Sequence, residues 1–136
     1  MIRSDCPIAN ALDIWGDTWS LLIIRDMMFE QKHHYGEFLL AAEKISTNIL
    51  AAKLRKLEEA GVISKKRDTA KKTRFVYALT EKGVDMLPII VETALWSLKH
   101  NEGTVLSPHI LAQIQADKAG FIQAAQTSLL AQIKML

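Results

Sequence analysis

The stretch that most constrains the fold is residues 46–61, because it carries both a helix start and a helix stop. Ser46 is a good N-cap, since its hydroxyl accepts a hydrogen bond from an otherwise unpaired amide of the first turn. Gly61 is a good stop, since glycine enters the left-handed region at little cost. Three leucines between them recur at helical spacing and share one face: Leu50, Leu54 and Leu57. The pattern predicts an amphipathic helix that packs against a core by its leucines.

The face opposite the leucines is polar and contains small residues. At about 100° per residue, this face consists of Asn48, Ala52, Arg55 and Glu59. Asparagine can pair bidentately with adenine and arginine with guanine, and small side chains let the helix backbone approach the bases. Taken alone, the helix fits two interpretations: a DNA-reading helix in a major groove, or an ordinary amphipathic surface helix.

Charge is distributed unevenly along the chain. The segment from Lys53 to Arg74 contains nine basic and three acidic residues, a net charge of +6. Because the whole chain carries +2, the remainder carries −4. A basic segment on an acidic body favours a polyanion as the partner of that segment. A solvated charged hairpin is the alternative, and the position of the segment beside the 46–61 helix favours nucleic acid.

Length and composition limit the other functions. With 136 residues, 49% of them apolar, the chain is most simply one domain with an appended helical segment. The sequence contains no long, uncharged apolar run of the kind that predicts a membrane span. Its first residues do not resemble a signal peptide. A single cysteine, Cys6, excludes an internal disulfide and fits a reducing cytoplasm. The adjacent His33 and His34 do not face the same way and no zinc-site spacing occurs, so no metal or cofactor is expected.

Helical spacing predicts three helices ahead of the 46–61 helix. Their ranges are 7–15, 19–28 and 35–42. Asp17 or Thr18 is expected to cap the second helix. A short helix, a tight turn and a capped helix form a helix-turn-helix arrangement.

The apolar period changes from 3.6 to 2 after Gly61. Two candidate strands, Val62–Arg67 and Arg74–Leu79, flank a polar, cationic turn. A hairpin directly after a helix-turn-helix is the wing of a winged-helix domain, and its tip can lie beside phosphates or in a minor groove. The expected fold class is therefore mainly α (α+β): a winged helix-turn-helix with a two-stranded β-hairpin wing and extra C-terminal helices.

The chain after the hairpin is helical by pattern. Thr80 is expected to cap a helix that runs to about His100, with a kink or break at Pro88. A further segment is helical from 110 to 136, and Gly120 is expected to divide it.

Two domains follow from these boundaries. The first, residues 1–100, is a winged-helix DNA-binding domain with an N-terminal segment and a post-wing dimerisation helix. The second, residues 101–136, is a C-terminal helical extension expected to take part in dimerisation. Because the extension is apolar and weakly charged, it is expected either to be buried against a partner or to fold back onto its own chain.

A series of short motifs carries a resemblance over residues 6 to about 98. In order, they are Cys6-Pro7-Ile8, Trp19-Ser20-Leu21-Leu22-Ile23-Ile24-Arg25-Asp26, Gly36-Glu37-Phe38, Ile45-Ser46-Thr47-Asn48-Ile49-Leu50, the run from Leu54 to Ile63, and the run from Arg74 to Gly83. In this order and spacing they resemble the HxlR-type winged-helix transcriptional regulators, relatives in fold of the MarR-type repressors. The resemblance implies a homodimer on a palindromic operator, with each 46–61 helix in a major groove and each wing beside it. It also implies dimer contacts from the N-terminal segment and from the helix after the wing.

Some features depart from the family pattern. Asp17-Thr18 stands where the family often has a basic residue, a proline often found at the wing is missing, and the chain beyond His100 is longer than usual. Cys6 occupies the position at which several family members sense oxidants or electrophiles. A redox sensor and a half-buried structural cysteine are both open interpretations of Cys6. A single cysteine forms disulfides only with another chain or a small thiol.

The residues expected to contact DNA fall into two groups. Base readout is assigned to Thr47, Asn48, Ala52 and Arg55. Backbone contacts are assigned to Ser46, Lys53, Lys56, Lys71, Lys72 and Arg74. The expected function is that of a cytoplasmic, dimeric, sequence-specific DNA-binding transcriptional regulator of a bacterium, without enzymatic activity.

A second interpretation is a winged-helix protein-interaction module whose apolar C-terminal helices bind a partner protein. An enzyme is the least favoured class, because the acids, the histidines and Cys6 form no recognisable catalytic group. A small-molecule effector is compatible with a regulator, and no residue pattern names that ligand.

Overall fold

A computed structural model describes residues 2–136 and divides them into two compact units. The first unit ends at Gly83, and the second runs from Val84 to Met135. This division differs from the expected boundary at residue 100, because the long helix after the hairpin packs against the last helix of the chain and so belongs to the second unit. The division at residue 100 remains a prediction from sequence.

The described residues contain eight helices and two strands. In chain order they are α1 (Pro7–Trp15), α2 (Ser20–Phe29), α3 (Tyr35–Phe38), α4 (Thr47–Glu59), β1 (Ile63–Arg67), β2 (Phe75–Leu79), α5 (Glu81–Val84), α6 (Leu87–His100), α7 (Pro108–Ala116) and α8 (Lys118–Ile133). The two strands pair antiparallel, with Ile63 opposite Leu79 and Arg67 opposite Phe75. The winged helix-turn-helix expected from the sequence is confirmed.

The core of the first unit is formed by α2, α3, α4 and the inner face of the hairpin. Its buried apolar side chains are Ile23, Ile24, Met27, Met28, Phe38, Ile45, Leu50, Leu54, Leu57, Val62, Ile63, Tyr77, Ala78 and Leu79. The leucine stripe of α4 is buried as predicted, since all three leucines are at most 2% exposed. Burying this stripe fixes which face of α4 remains at the surface.

The start of α2 is held by the carboxylate of Asp17, which precedes the N-cap residue Trp19 by two positions. Asp17 Oδ1 accepts hydrogen bonds of 2.8 Å from the backbone N–H groups of both Trp19 and Ser20. These amides belong to the first turn, where no backbone carbonyl is available to them. The N-cap position itself belongs to Trp19 and not to Asp17 or Thr18, so the predicted cap is displaced along the chain, although the Asp17 carboxylate does accept from the first amides.

The third helix is shorter than predicted. Helical pattern indicated residues 35–42, but α3 ends at Phe38. The chain must reverse before α4, and Lys44 takes a left-handed conformation (φ 61°) in this turn. Leu40, which the pattern assigned to the helix, is 81% exposed. Tertiary geometry here overrides an apolar pattern that has no stop signal of its own.

The turn between α3 and α4 is tied to α2 by an ion pair. The Arg25 guanidinium donates two hydrogen bonds of 2.9 Å to the Glu43 carboxylate. This hydrogen bonding lowers the pKa of Glu43 from 4.5 to about 2. Because the folded-state pKa is lowered, the stabilisation is present above pH 4.5 and is lost as the pH falls towards 2.

Replacing Glu43 by Gln is expected to lower the free energy of unfolding at pH 7 by about 0.5–1 kcal/mol, since the pair is partly exposed and screened by water. The difference from the parent should narrow as the pH falls below about 4.5. Urea denaturation at pH 7, 4 and 3, compared through the shift of the unfolding midpoint, measures both effects. Glu102→Gln, at an exposed loop position, is the matched control. A Glu43→Gln deficit that stays constant with pH would contradict this account.

The strands start and end within one residue of the predicted ranges. Val62 and Arg74 lie just outside them. The Val62 carbonyl accepts hydrogen bonds from the backbone N–H and the hydroxyl of Thr80, at 3.1 and 3.0 Å. These bonds close the strand pair at the end opposite the turn.

Two helix breaks in the second part of the chain lie a few residues before the proline and the glycine at which they were predicted. Thr80 caps α5 as predicted, because its hydroxyl accepts a hydrogen bond from Gly83 N–H. The next break lies before Pro88, which occupies the first turn of α6, where its missing N–H costs nothing. Gly120 does not divide the C-terminal segment; the break is at Asp117, whose carboxylate accepts from Gly120 N–H. A side chain at residue 120 would collide with that carboxylate.

The second unit packs its C-terminal helices on one another and on α6. Contacts join α7 to α8 and α6 to α8, and Ile114 and Leu129 are buried. The C-terminal segment therefore folds back within its own chain, which was one of the two alternatives. Ser107 precedes Pro108 at the start of α7 but makes no side-chain cap. No helix within residues 2–136 is long and apolar enough to cross a membrane.

Candidate nucleic-acid interface

The exposed face of α4 carries all four residues predicted to read bases. Ser46 Oγ accepts a hydrogen bond from Ile49 N–H at 3.3 Å, so the cap that starts the helix forms as predicted. The side chains on the exposed face are Thr47, Asn48, Ala52 and Arg55. One cap and one buried stripe are thus enough to orient the polar face outward.

A hydrogen bond that the sequence did not predict fixes the first turn of α4 to α3. The hydroxyl of Tyr35 donates to the backbone carbonyl of Thr47 at 2.8 Å. Tyr35 opens α3 and Thr47 opens α4, so the bond joins the starts of the two helices of the helix-turn-helix. No local sequence signal reveals it, because the two residues are twelve positions apart.

The cations of α4 differ in their surroundings. Arg55 and Lys56 are exposed, and within residues 2–136 neither has a carboxylate within 4 Å. Lys53, also predicted to contact the DNA backbone, is half-buried, and its ammonium lies 3.8 Å from Asp17 Oδ2. The electrostatically free cation on the predicted reading face is therefore Arg55.

The hairpin turn is organised by one buried acid, Asp68, whose role has no signal in the sequence beyond its charge. Asp68 Oδ1 accepts from Ala70 N–H at 2.9 Å, and Oδ2 accepts from Arg74 Nε. The Arg74 hydrogen bond, followed by that from Ala70, lowers the pKa of Asp68 to about 2. Arg74, predicted to contact phosphates, is thus partly neutralised, whereas Lys71 and Lys72 are exposed at the turn.

The hairpin adds two cations that were not assigned to the site, on the strand face that also carries Ile63 and Tyr77. Lys65 Nζ lies 4.2 Å and the Arg67 guanidinium 4.8 Å from the centre of the Phe75 ring. Both cations are stabilised by the ring face. Arg67 also donates to the Lys72 carbonyl at 2.6 Å, which braces the turn. The sequence does carry a signal for this pair: Lys65 and Arg67 are two positions apart in β1, and alternate residues of a strand share a face.

Cys6 and the two histidines belong to segments other than α4. Cys6 is exposed at the N-cap of α1, so the interpretation as a half-buried structural cysteine is wrong. His33 Nδ1 lies 3.0 Å from the Tyr77 carbonyl, whereas His34 Nδ1 lies 2.9 Å from Glu37 Oε1. Within residues 2–136 no group of three His, Cys, Asp or Glu side chains is arranged to hold a metal ion.

The assembled surface combines an exposed polar helix face with a braced basic hairpin. A sequence profile of HxlR-like helix-turn-helix proteins matches residues 14–104, which include both elements and more than half of the chain. The chain belongs to the HxlR-like helix-turn-helix family. As a member of this family, the protein is a DNA-binding transcriptional regulator.

Bacterial relatives of this HxlR-like regulator share its central region. The HTH-type transcriptional regulator YvaP of Bacillus subtilis is 33% identical over 95 residues, covering 68% of this chain and 85% of YvaP. YdeP of the same organism is 30% identical over 97 residues, covering 71% and 75%. The regulator sll1512 of Synechocystis is 31% identical over 86 residues, and the match spans 63% of each protein.

Solved structures share the fold of this HxlR-like regulator. The candidate transcription factor PA1607 is 34% identical with a TM-score of 0.68, covering 76% of this chain and 73% of PA1607. The redox regulator HypR in its oxidised form is 26% identical with a TM-score of 0.63, covering 71% and 99%. A MarR-family transcriptional regulator from Porphyromonas gingivalis W83 is 32% identical with a TM-score of 0.61, covering 74% and 97%.

Proposed function

We propose that the protein is a homodimeric, non-enzymatic regulator that binds a palindromic operator sequence-specifically. In this proposal α4 lies in the major groove and the hairpin wing lies along the adjacent backbone. The observation that carries the proposal is the exposed face of α4, on which Asn48 and Ala52 are followed by Arg55, a cation with no carboxylate partner among residues 2–136. Such a regulator works where the bacterial chromosome is, in the cytoplasm.

The proposed contacts divide into base readout and backbone attachment. Thr47, Asn48, Ala52 and Arg55 read base edges. Ser46, Lys53, Lys56, Lys71, Lys72 and Arg74 contact phosphates. For Lys53 and Arg74, DNA phosphates have to share the cation with Asp17 and Asp68, respectively, so we assign these two a smaller part of the affinity.

Selection of preferred DNA from a random pool tests the function directly. We expect a palindrome whose half-sites are about one helical turn apart, which is the spacing that a two-fold symmetric dimer requires. Binding should also fall steeply with salt, because phosphate contacts release counterions. Failure to enrich any sequence would contradict specific recognition and would favour the alternative of a protein-interaction module.

Exposed apolar side chains support a homodimer. On α1, Ile8 is 69% and Leu12 is 47% exposed, and the two lie four residues apart on one helix face. On α6, Trp96 is 62% exposed and lines a groove with Pro88 and Ile89. Apolar surface of this kind is more often covered by a partner than left in water. We propose that the partner is a second copy of the chain.

Replacing Leu12 by Glu is expected to shift the protein from dimer to monomer, because a charge cannot be buried in an apolar interface without a partner. Light scattering during size exclusion measures the mass directly. Val105→Glu, at an 89% exposed position in the loop before α7, is the control and should leave the dimer intact. A Leu12→Glu protein that remains dimeric would remove α1 from the proposed interface.

Cys6 is proposed to make the regulator responsive to oxidants. Its thiol is exposed, and the similar protein HypR is a redox regulator. Treatment with diamide is expected to produce a disulfide-linked dimer, visible on a non-reducing gel, and to change operator affinity at least several-fold (~1 kcal/mol or more). Cys6→Ser should abolish both effects. Equal DNA affinity before and after oxidation of the parent would rule out a redox switch.

A further inference from the structure

His34 lies between two carboxylates that belong to different parts of the winged helix. Its Nδ1 is 2.9 Å from Glu37 Oε1 in α3. Its Nε2 is 3.5 Å from Asp68 Oδ2 at the start of the hairpin turn. One imidazole ring therefore stands between the helix-turn-helix and the turn of the wing.

A neutral imidazole does not satisfy this position. The Glu37 carboxylate only accepts hydrogen bonds, so Nδ1 carries a hydrogen and a neutral ring has a bare lone pair at Nε2. That lone pair faces the Asp68 carboxylate, and Nε2 is buried without a hydrogen-bond partner among the described residues. Buried polar atoms are nearly always paired. A protonated ring donates from Nδ1 to Glu37 and places its positive charge 3.5 Å from the Asp68 carboxylate, so it suits both acids.

Both carboxyl groups are held in their charged form. Burial raises the pKa of Glu37, but hydrogen bonds from the backbone of His33 and from His34 outweigh burial and leave the pKa below its ordinary value. The Arg74 hydrogen bond lowers the pKa of Asp68 to about 2. Two negative charges therefore face the ring near neutral pH.

The other charged and titratable groups around the ring are few. Arg74 binds the same Oδ2 atom of Asp68, so the guanidinium and the imidazole share one carboxylate. Tyr35 and Tyr77 line, together with His34 and Arg74, an open cavity of about 710 Å³. The cavity leaves about a quarter of the His34 side chain exposed (27%), whereas Nε2 itself is buried.

We propose that His34 is a positioning residue whose protonation fastens the hairpin wing to the helix-turn-helix and thereby strengthens operator binding at mildly acidic pH. Histidine is the side chain that changes charge near neutral pH. Asp68 organises the turn that carries Lys71 and Lys72, so a second bond to Asp68 restrains those cations as well. The inference rests on the proposed DNA-binding function.

Operator affinity measured from about pH 8 to about pH 5.5 at constant ionic strength tests the proposal. We expect the parent to bind about three- to fivefold more tightly at the acidic end, the size of effect that one partly exposed ion pair supports. His34→Gln should lose this gain. His109→Gln, which removes an exposed histidine in α7, should keep it. A gain that persists in His34→Gln, or that is missing in the parent, would overturn the proposal.

Asp68→Asn keeps the imidazole and removes the charge of its second partner, so it should lose the gain too. Because this change also affects Arg74, thermal melting checks that the variant is folded. NMR spectra of the free protein provide a measurement independent of DNA. The amide signals of Ala70 and Thr73 should titrate together with the His34 ring in the parent and stay constant in His34→Gln.

The two measurements separate the inference from the function on which it rests. If random-pool selection enriches no sequence, the proposed function fails, and the amide titration alone decides whether His34 controls the wing. If the turn amides do not follow the ring, the positioning role is wrong even when operator binding is specific.

Discussion

Replacing Arg55 by alanine is expected to weaken binding to the preferred operator by about 1–3 kcal/mol, roughly 5- to 150-fold, and to relax the sequence requirement at one base-pair position. Arg55 is exposed on the polar face of α4 and has no carboxylate partner within the described residues. Its guanidinium is therefore free to make a bidentate contact with guanine. Fluorescence anisotropy with the operator and with singly substituted operators measures both effects at fixed salt.

Two lysine variants serve as controls for this prediction. Lys72→Ala, at the exposed hairpin turn, should weaken operator and random DNA about equally and reduce the salt slope by about one, as expected for a phosphate contact. Lys99 is exposed on α6 outside the basic segment. Lys99→Ala should therefore change neither the DNA affinity nor its salt slope. If Arg55→Ala binds every DNA as the parent does, α4 does not read the operator through this residue.

Replacing Leu50 by alanine is expected to lower the free energy of unfolding by about 2–5 kcal/mol. Leu50, the first leucine of the stripe, is completely buried. Its truncation removes apolar contacts and leaves a cavity that neighbouring side chains fill only in part. Urea denaturation at pH 7, analysed by linear extrapolation, gives the difference.

The neighbouring residue on α4 provides the control. Ile49 is 37% exposed, so Ile49→Ala removes an apolar side chain from the same helix with a loss of about 1 kcal/mol or less. Equal losses for the two variants would mean that the leucine stripe is not the buried face of α4. The assignment of the opposite face to DNA would then fail as well, because one orientation fixes both.

The helices and the hairpin that form the site were predictable because their signals are local. Ser46 and Gly61 delimit α4, the leucine spacing gives its buried face, and the change of period after Gly61 gives the hairpin. Capping, stop and periodicity all act within a few residues. The exposure of Asn48, Ala52 and Arg55 follows directly from them.

Other features depend on contacts between residues that are distant in sequence. Asp17 forms an ion pair with Lys53, which is 36 positions away, and no pattern within α4 predicts this pair. Leu40 is apolar and yet exposed, because the chain must turn after Phe38 to reach α4. The pattern around Pro88 predicts a kink or break at this residue. The structure instead places Pro88 in the first turn of α6, where proline is tolerated.

The bonds that close the hairpin turn around Asp68 have a consequence for how operators are chosen. Ordering a loop costs about 1–2 kcal/mol per residue, and in this protein that entropy is lost during folding, before any DNA is bound. In the proposed complex, a wing ordered in this way adapts little to the duplex, so the duplex has to adapt to the wing. Sequences whose grooves deform at low energy are then favoured at positions that no side chain touches. Part of the sequence specificity is therefore expected to come from the flexibility of the DNA instead of from base contacts.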